Sequence, residues 1–182
     1  LHGELILLTL LLDAGLDTLS AVEAWHGPLH GLHDFEIATG AIEVKTTASE
    51  QGFPVKILSL EQLDSNLAEP LYLAGLHLSA DPEGLNLSGR VEAVRLRLRN
   101  DLAALHTFNT LLLHTGYADA MADHYPRCFV HDRSRLLRVD DHFPSLTRHK
   151  VSSEISTVRY EIDLDRIEGG DQTLADILLH NE

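Results

Sequence analysis

Cysteine is almost absent from this chain of 182 residues: Cys128 stands alone, which excludes an internal disulfide framework and a thiolate zinc cluster. A reducing, cytoplasmic setting is the simplest reading of that scarcity. Basic charge is scarce too, with Lys+Arg 14 against Asp+Glu 28 and a formal net charge of −14. That balance argues against a histone-like or polybasic mode of nucleic-acid binding, in which phosphate neutralisation dominates. It does not exclude a DNA enzyme, because local charge matters more than the sum. No hydrophobic run approaches the about 20 residues of a membrane span. The longest, Leu5 to Leu12, is interrupted by Thr9 and ends at Asp13, so it reads as a buried helix and not an anchor. The basic n-region and cleavage site of a signal peptide are missing. So are repeats, proline-rich linkers and low-complexity tracts. Apolar residues at 44% and charged residues at 23% are ordinary for a globular protein with a real core. The length fits one domain, or one domain with a modest annex. The first residue is Leu1, already inside a helical pattern, and the expectation is a piece of a longer protein whose N-terminal part is missing.

Charge is spread unevenly. Residues 1–80 hold two basic groups, Lys45 and Lys56, against eleven acids, whereas residues 90–150 hold ten against seven. A first helix is expected from about His2 to Ala14, apolar nearly all round and therefore buried on several sides, with Gly15 suited to its C-terminal cap. After a loop containing Trp25, Gly27, Pro28 and Gly31, two segments alternate polar with apolar at the period of half-buried strands: His33 to Ile37 and Ala41 to Thr47. Thr39-Gly40 between them is a tight-turn signal. Val55 to Leu58 reads as a third strand. Ser59 reads as the N-cap of a helical turn over Leu60 to Leu63, and Pro70 to Ser79 as a further strand. Val91, Val94, Leu98, Leu102 and Leu105 predict one long helix continuing to about His114. Strands return at Arg127 to His131, Arg135 to Val139 and Thr157 to Leu164. Gly169-Gly170 closes the pattern, and Asp176 to Glu182 is expected as a short helix or tail.

The informative segment is Asp34-Phe35-Glu36-Ile37 followed by Glu43-Val44-Lys45. Alternation puts Glu43 and Lys45 on one strand face and Val44 on the other. A two-residue loop at Thr39-Gly40 places Asp34 opposite Lys45, whereas a loop at Ala38-Thr39 places Asp34 opposite Glu43. Both gather Asp34, Glu36, Glu43 and Lys45 on one face and leave Phe35, Ile37, Ile42 and Val44 for the first helix to cover. A one-residue slip would scatter the set. Clustered carboxylates repel one another unless a cation or proton is shared. Mg²⁺ suits such a site, since it takes one or two carboxylates and keeps other positions for water and phosphate oxygens. A neighbouring lysine can stabilise phosphoryl charge or steer a water, which completes the equipment for metal-assisted phosphodiester hydrolysis. On a plain solvated strand face the same residues would form cross-strand ion pairs worth well under ~1 kcal/mol each.

Asp34, Glu43-Val44-Lys45 and a buried helix carrying Glu4 together resemble the PD-(D/E)XK, restriction-endonuclease-like nuclease superfamily. More narrowly, the chain is similar to a poorly characterised bacterial group associated with restriction-like anti-phage defence clusters. That likeness rests on Trp25-His26-Gly27-Pro28, His33-Asp34-Phe35, Glu43-Val44-Lys45-Thr46-Thr47 and Ser59 to Leu63. The later Gly116-Tyr117, Phe143-Pro144 and Tyr160 to Leu164 landmarks add to it, and His33 stands where the superfamily name has proline. The resemblance implies an α/β fold with an α-β-β-β-α-β core at residues 1–80 and a helical and β-strand extension at 81–182. It implies a Mg²⁺- or Mn²⁺-dependent DNA endonuclease of the cytoplasm, without a membrane role, acting in defence with other defence-system proteins or as a homodimer. Asp34 and Glu43 would hold the metal, Lys45 would orient the water and stabilise the transition state, and Glu4 would assist. The alternative is a catalytically inactive nuclease-like scaffold that binds DNA or partner proteins.

Other candidates are secondary. Gln62 is placed to contact DNA or the active-site strands, Glu36 is a neighbouring acid, and His33 is a loop histidine near the phosphate. His26, His30 and His33 have no evident fourth ligand for zinc. Arg95 and Arg99 on one flank of the long helix, with Arg90 and Arg97 on the other, are candidate DNA contacts. Flanking arginines also commonly lay their stems over a core edge.

Overall fold

The computed structural model describes residues 1–179. Helix α1 (His2–Asp13) buries Leu5, Ile6, Leu7, Leu8 and Leu11, as its apolar circumference requires. A short α2 (Thr18–Glu23) follows, started by Asp17, whose side chain accepts from the Ser20 N–H at 3.1 Å. Six residues are too few to show helical periodicity, so this segment reads as loop in the sequence. Strands β1 (Phe35–Ile37), β2 (Gly40–Thr47), β4 (Leu71–Leu85) and β5 (Phe129–Val139) form a central sheet in the order β1-β2-β4-β5. The β2–β4 pair is parallel and the other two are antiparallel. Strands β3 (Pro54–Ile57) and β6 (Tyr160–Asp163) pair antiparallel in a separate two-stranded sheet.

Alternation along the central strands sorts side chains onto two faces. Ile42, Val44, Tyr72, Ala74, Leu76 and Leu136 join the cluster built on α1, α2 and the later helices α3 (Leu87–Leu98) and α4 (Leu102–His114). Ala41, Leu71, Leu73, Leu137 and Val139 face the other way, against Phe53, Val55, Ile57, Ile162 and Leu164 of the small sheet and its flanks. The central sheet therefore lies between helices and a second, smaller sheet. This is a mixed α/β fold compatible with a restriction-endonuclease-like core. No helix among the described residues is long and apolar enough to cross a membrane.

Several elements differ from the sequence reading. Residues Ser59 to Leu63 form turns and bends and no helix. Five residues close too few hydrogen bonds to offset helix nucleation. Here Leu60 and Leu63 are drawn into the interior, while the Gln62 side chain takes the Leu58 N–H. The long helix expected to His114 breaks into α3 and α4 at Arg99 to Asp101, because Asp101 caps α4 by accepting from the Ala104 N–H at 3.0 Å. The break turns Leu102 out of the stripe, and it is 77% exposed. The two expected strands Arg127–His131 and Arg135–Val139 are one strand, β5, with a register shift against β4 at His77/Leu78. Helix α5 (Leu174–Leu179) accounts for the start of the expected terminal element, and 180–182 lie outside the described residues. Position 80 falls within β4, which pairs with β2 only as far as His77 and continues to Leu85 against β5.

Gly75, opposite Lys45 in the β2–β4 ladder, is packed closely by the residues that flank the small sheet. A Cβ there would lie 2.2 Å from Leu164 Cδ1 and 3.2 Å from Phe53 Cζ, and both side chains are fully buried. Gly75→Ala should therefore lift the small sheet and cost about 1–3 kcal/mol. Denaturant unfolding would check this, and a neutral substitution would mean that Leu164 can repack.

Candidate active site

The hairpin settles in the second of its two registers. Phe35 pairs with Ile42 and Ile37 with Gly40, so the loop is Ala38-Thr39 and continuation of the ladder sets Asp34 opposite Glu43. Asp34 itself lies one residue before β1. Its backbone carbonyl turns away to accept from the His26 and Gly27 N–H groups at 2.9 and 3.0 Å. Its side chain takes over the lost rung: Oδ2 accepts from the Val44 N–H at 2.8 Å. The carboxylate is thus fixed to β2 by a hydrogen bond that the short β1 leaves unmade.

Glu43 is 2% exposed, so the strand face it occupies is not the plain solvated one of the alternative reading. The small sheet covers that face. Glu43 Oε1 receives Lys45 Nζ at 2.6 Å and Gln62 Nε2 at 2.8 Å. Gln62 is held at its other end, where Oε1 accepts from the Leu58 N–H at 2.8 Å. Glu4, in the first turn of α1, comes in from the helical side, and its Oε2 accepts from the Trp25 indole N–H at 2.9 Å. Its Oε1 lies 2.8 Å from the Leu1 amino group. A Cβ built on Gly27 would stand 2.6 Å from Glu4 Oε2 and 3.0 Å from Asp34 Oδ1. A side chain at this position would push Glu4 Oε2 aside, so the bare glycine leaves the two carboxylates room to share this space.

Glu4, Asp34 and Glu43 consequently form a file of three acids, with the Lys45 ammonium at Glu43 and the Leu1 amino group at Glu4. Burial first, then the neighbouring Glu4 charge, pushes the Asp34 carboxyl up to about 6. Burial, then Asp34, pushes Glu43 up to about 7, with Lys45 acting in the opposite direction. Among the described residues no group donates to Asp34 Oδ1 or Glu43 Oε2. Two converging, under-bonded carboxylates are a donor set that fits Mg²⁺ or Mn²⁺, hard cations that take oxygen ligands and, for Mg²⁺, retain several waters. Among the described residues no group of three His, Cys, Asp or Glu side chains is placed to hold a metal ion, so an ion here would rest on the two carboxylates and on water or phosphate oxygens.

The remaining candidates lie apart from this file. Glu36 pairs across the hairpin with Ala41, is exposed, and lies 3.4 Å from His26 Nδ1. His33 is 2% exposed, with Nε2 unpartnered, and burial lowers its pKa; it borders a groove with Leu32, Glu36, Ile37 and Leu67. Arg95 is engaged by Asp119 at 2.9 Å, Asn109 at 2.9 Å and Glu92 at 2.5 Å. Arg99 is exposed at the end of α3. Sequence reasoning missed Trp25 as a hydrogen-bond donor and Gly27 as a spacer. The Trp-His-Gly-Pro run was the available signal, because an indole buried beside an acidic residue must satisfy its N–H.

Two expectations follow from the acid file. Both raised carboxyls hold protons in the folded protein that an unfolded chain has released, so their contribution to stability is complete below about pH 4 and is lost as pH rises through 6 and 7. Metal-free protein should melt lower at pH 8 than at pH 5, and Glu43→Gln, which keeps an acceptor for Lys45 and Gln62, should flatten the dependence. An equally steep profile in the variant would place the titration elsewhere. Gly27→Ala should force Glu4 away from the single tryptophan, changing Trp25 fluorescence while far-UV circular dichroism stays constant. Unchanged emission would show that the contact tolerates a methyl group.

No curated protein and no solved structure matches the chain. A family model described as "Putative PD-(D/E)XK family member, (DUF4420)" matches residues 1–165. That span takes in α1, the Asp34 hairpin, Glu43-Val44-Lys45 and both sheets, and the chain belongs to this PD-(D/E)XK family.

Proposed function

We propose that this chain is a Mg²⁺-dependent DNA endonuclease. The observation that carries the reading is the convergence of Asp34 and Glu43 with Lys45 on one face of β2. A divalent ion bound by Asp34 and Glu43 would relieve their repulsion, polarise a phosphoryl group and make water a better nucleophile at neutral pH. The chain's own residues do the rest. The hydrogen bond from the Val44 N–H fixes one carboxylate, and Gln62 with Lys45 fixes the other. Lys45 is a preorganised ammonium group beside the reacting phosphate, placed to hold the attacking water and to stabilise charge that grows as the phosphorus becomes five-coordinate. Glu4, tied to Trp25, keeps Asp34 in a negative surrounding and so favours a cation over a proton-free, ion-free site. The setting proposed, on family resemblance alone, is restriction-like defence against foreign DNA in the cytoplasm, with other defence proteins or a second copy as partner.

The competing reading is a catalytically silent subunit that binds DNA or partner proteins. The Lys45–Glu43 ion pair favours it, since the pair satisfies part of the site without any ion. Plasmid nicking with and without Mg²⁺ separates the two. Wild type should nick only with Mg²⁺ or Mn²⁺, and Lys45→Met, which keeps the packed stem, should lower the rate by about 10²–10³ with an unchanged fold. A wild type that neither nicks DNA nor gains thermal stability from either ion would leave the scaffold reading.

A further inference from the structure

Six of the fourteen basic side chains are committed to ion pairs: Lys45, Arg95, Arg97, Arg133, Arg135 and Arg166. The candidate DNA contact Arg95 is among them, bound by two carboxylates. Four of the uncommitted ones belong to the open end of the β3–β6 sheet and to the loop that precedes β6. Lys56 and Leu58 point outward from the third strand, as the burial of Val55 and Ile57 on its inner face requires. Extension of the β3–β6 register, in which Ile57 pairs with Tyr160, sets Arg159 opposite Leu58. The loop before β6 folds onto the same end. The Leu146 N–H donates to Tyr160 Oη at 3.1 Å, and the Arg148 guanidinium donates to the Ile155 and Ser156 carbonyls at 2.7 and 3.4 Å. Lys150 Nζ donates to Ser145 O at 3.1 Å.

Lys56, Arg148, Lys150 and Arg159 are all exposed, and among the described residues none has a carboxylate within 4.0 Å. The acids of the same region are fewer. Glu154 is occupied by Ser152 and Ser153, and Glu161 faces Lys56 across the ladder. On a chain of net charge −14 such a patch is a local reversal of sign. Its position relative to the acid file is fixed by one side chain. Gln62 bonds the Leu58 N–H with one end and Glu43 with the other, so the patch begins one glutamine away from the buried carboxylate.

We infer that the open end of the β3–β6 sheet, through Lys56 and Arg159 of its outer face and Arg148 and Lys150 of the loop bonded to Tyr160, is the surface that holds the phosphate backbone of duplex DNA beside the acid file. The partner's identity rests on the nuclease reading; the placement rests on the patch. The backbone contacts would position the duplex without reading its sequence, and the exposed Leu58, 54% accessible, sits opposite Arg159 in the extended register.

The test is equilibrium binding of a labelled duplex in EDTA, where no cleavage occurs, over a salt series. Lys56→Ala/Arg159→Ala removes two cations that make no hydrogen bond among the described residues, so the fold is spared. The logarithmic salt slope should fall by about 2, one for each lost phosphate contact, with affinity lowered alike for unrelated sequences. Arg95→Ala/Arg99→Ala should leave the slope unchanged. A patch variant with the wild-type slope overturns the proposal, as does a slope lost only in the α3 variant. Wild type that ignores duplex DNA but binds phosphatidylserine vesicles through these residues overturns it as well. Failure of the nuclease reading looks different: DNA is bound through the patch and never nicked with Mg²⁺. Nicking with a normal slope in the patch variant sinks the patch alone.

Discussion

Glu43 carries a carboxyl group into the seam between two sheets, and the arrangement around it answers the cost of that burial. A buried charge is tolerated only when it is paired and hydrogen-bonded, and Lys45 and Gln62 supply both on a single oxygen. Among the described residues the second oxygen has no such partner. With Asp34 opposite and Glu4 behind, the site stores repulsion that the hydrogen bonds lessen and do not remove. Carboxyls driven up to about 6 and about 7 are the sign of that remainder. The divalent cation of the proposed function would answer that remainder, having the opposite charge and a preference for oxygen ligands.

The small β3–β6 sheet is what converts an ordinary polar strand face into such a site. Without it, Glu43 and Lys45 would be a screened surface pair of little consequence. With it, Phe53 and Leu164 press against the bare backbone at Gly75, Gln62 is delivered to Glu43, and Glu43 is buried. Folding and electrostatics are linked through one close approach between sheets. The helical side contributes independently: Trp25, stacked on Phe108 of α4 at 5.8 Å, holds Glu4 by its indole N–H.

How far this was legible from residues alone varies with the range of the contact. The α1 helix and the β1–β2 hairpin are written in local periodicity, and side-chain parity places Asp34, Glu43 and Lys45 on one face under either loop choice. The register itself was not legible, because both loops satisfy the same parity. Nor was the second sheet: β3 and β6 are four residues each and separated by about a hundred positions, so no local pattern reports their pairing. Ser59 to Leu63 looks like a capped helical turn, yet tertiary demand on Leu60 and Leu63 overrides the cap. At Arg99 to Asp101 the sequence did carry a signal, the Asn100-Asp101 pair, but the regular spacing of Leu102 and Leu105 masks it.

Strand β4 outruns its neighbour β2. From Leu78 onward its ladder has β5 on one side and, among the described residues, no strand on the other. A free row of backbone N–H and C=O groups templates the addition of a foreign strand, and long flat edges are how sheets aggregate. This edge is unsuited to that. Asp81 and Glu83 place like charges along it, Pro82 withholds a donor, and the pairing with β5 is interrupted between Ala80 and Leu85. The protruding arm can thus stay extended and exposed while resisting growth into a larger assembly by edge-to-edge pairing.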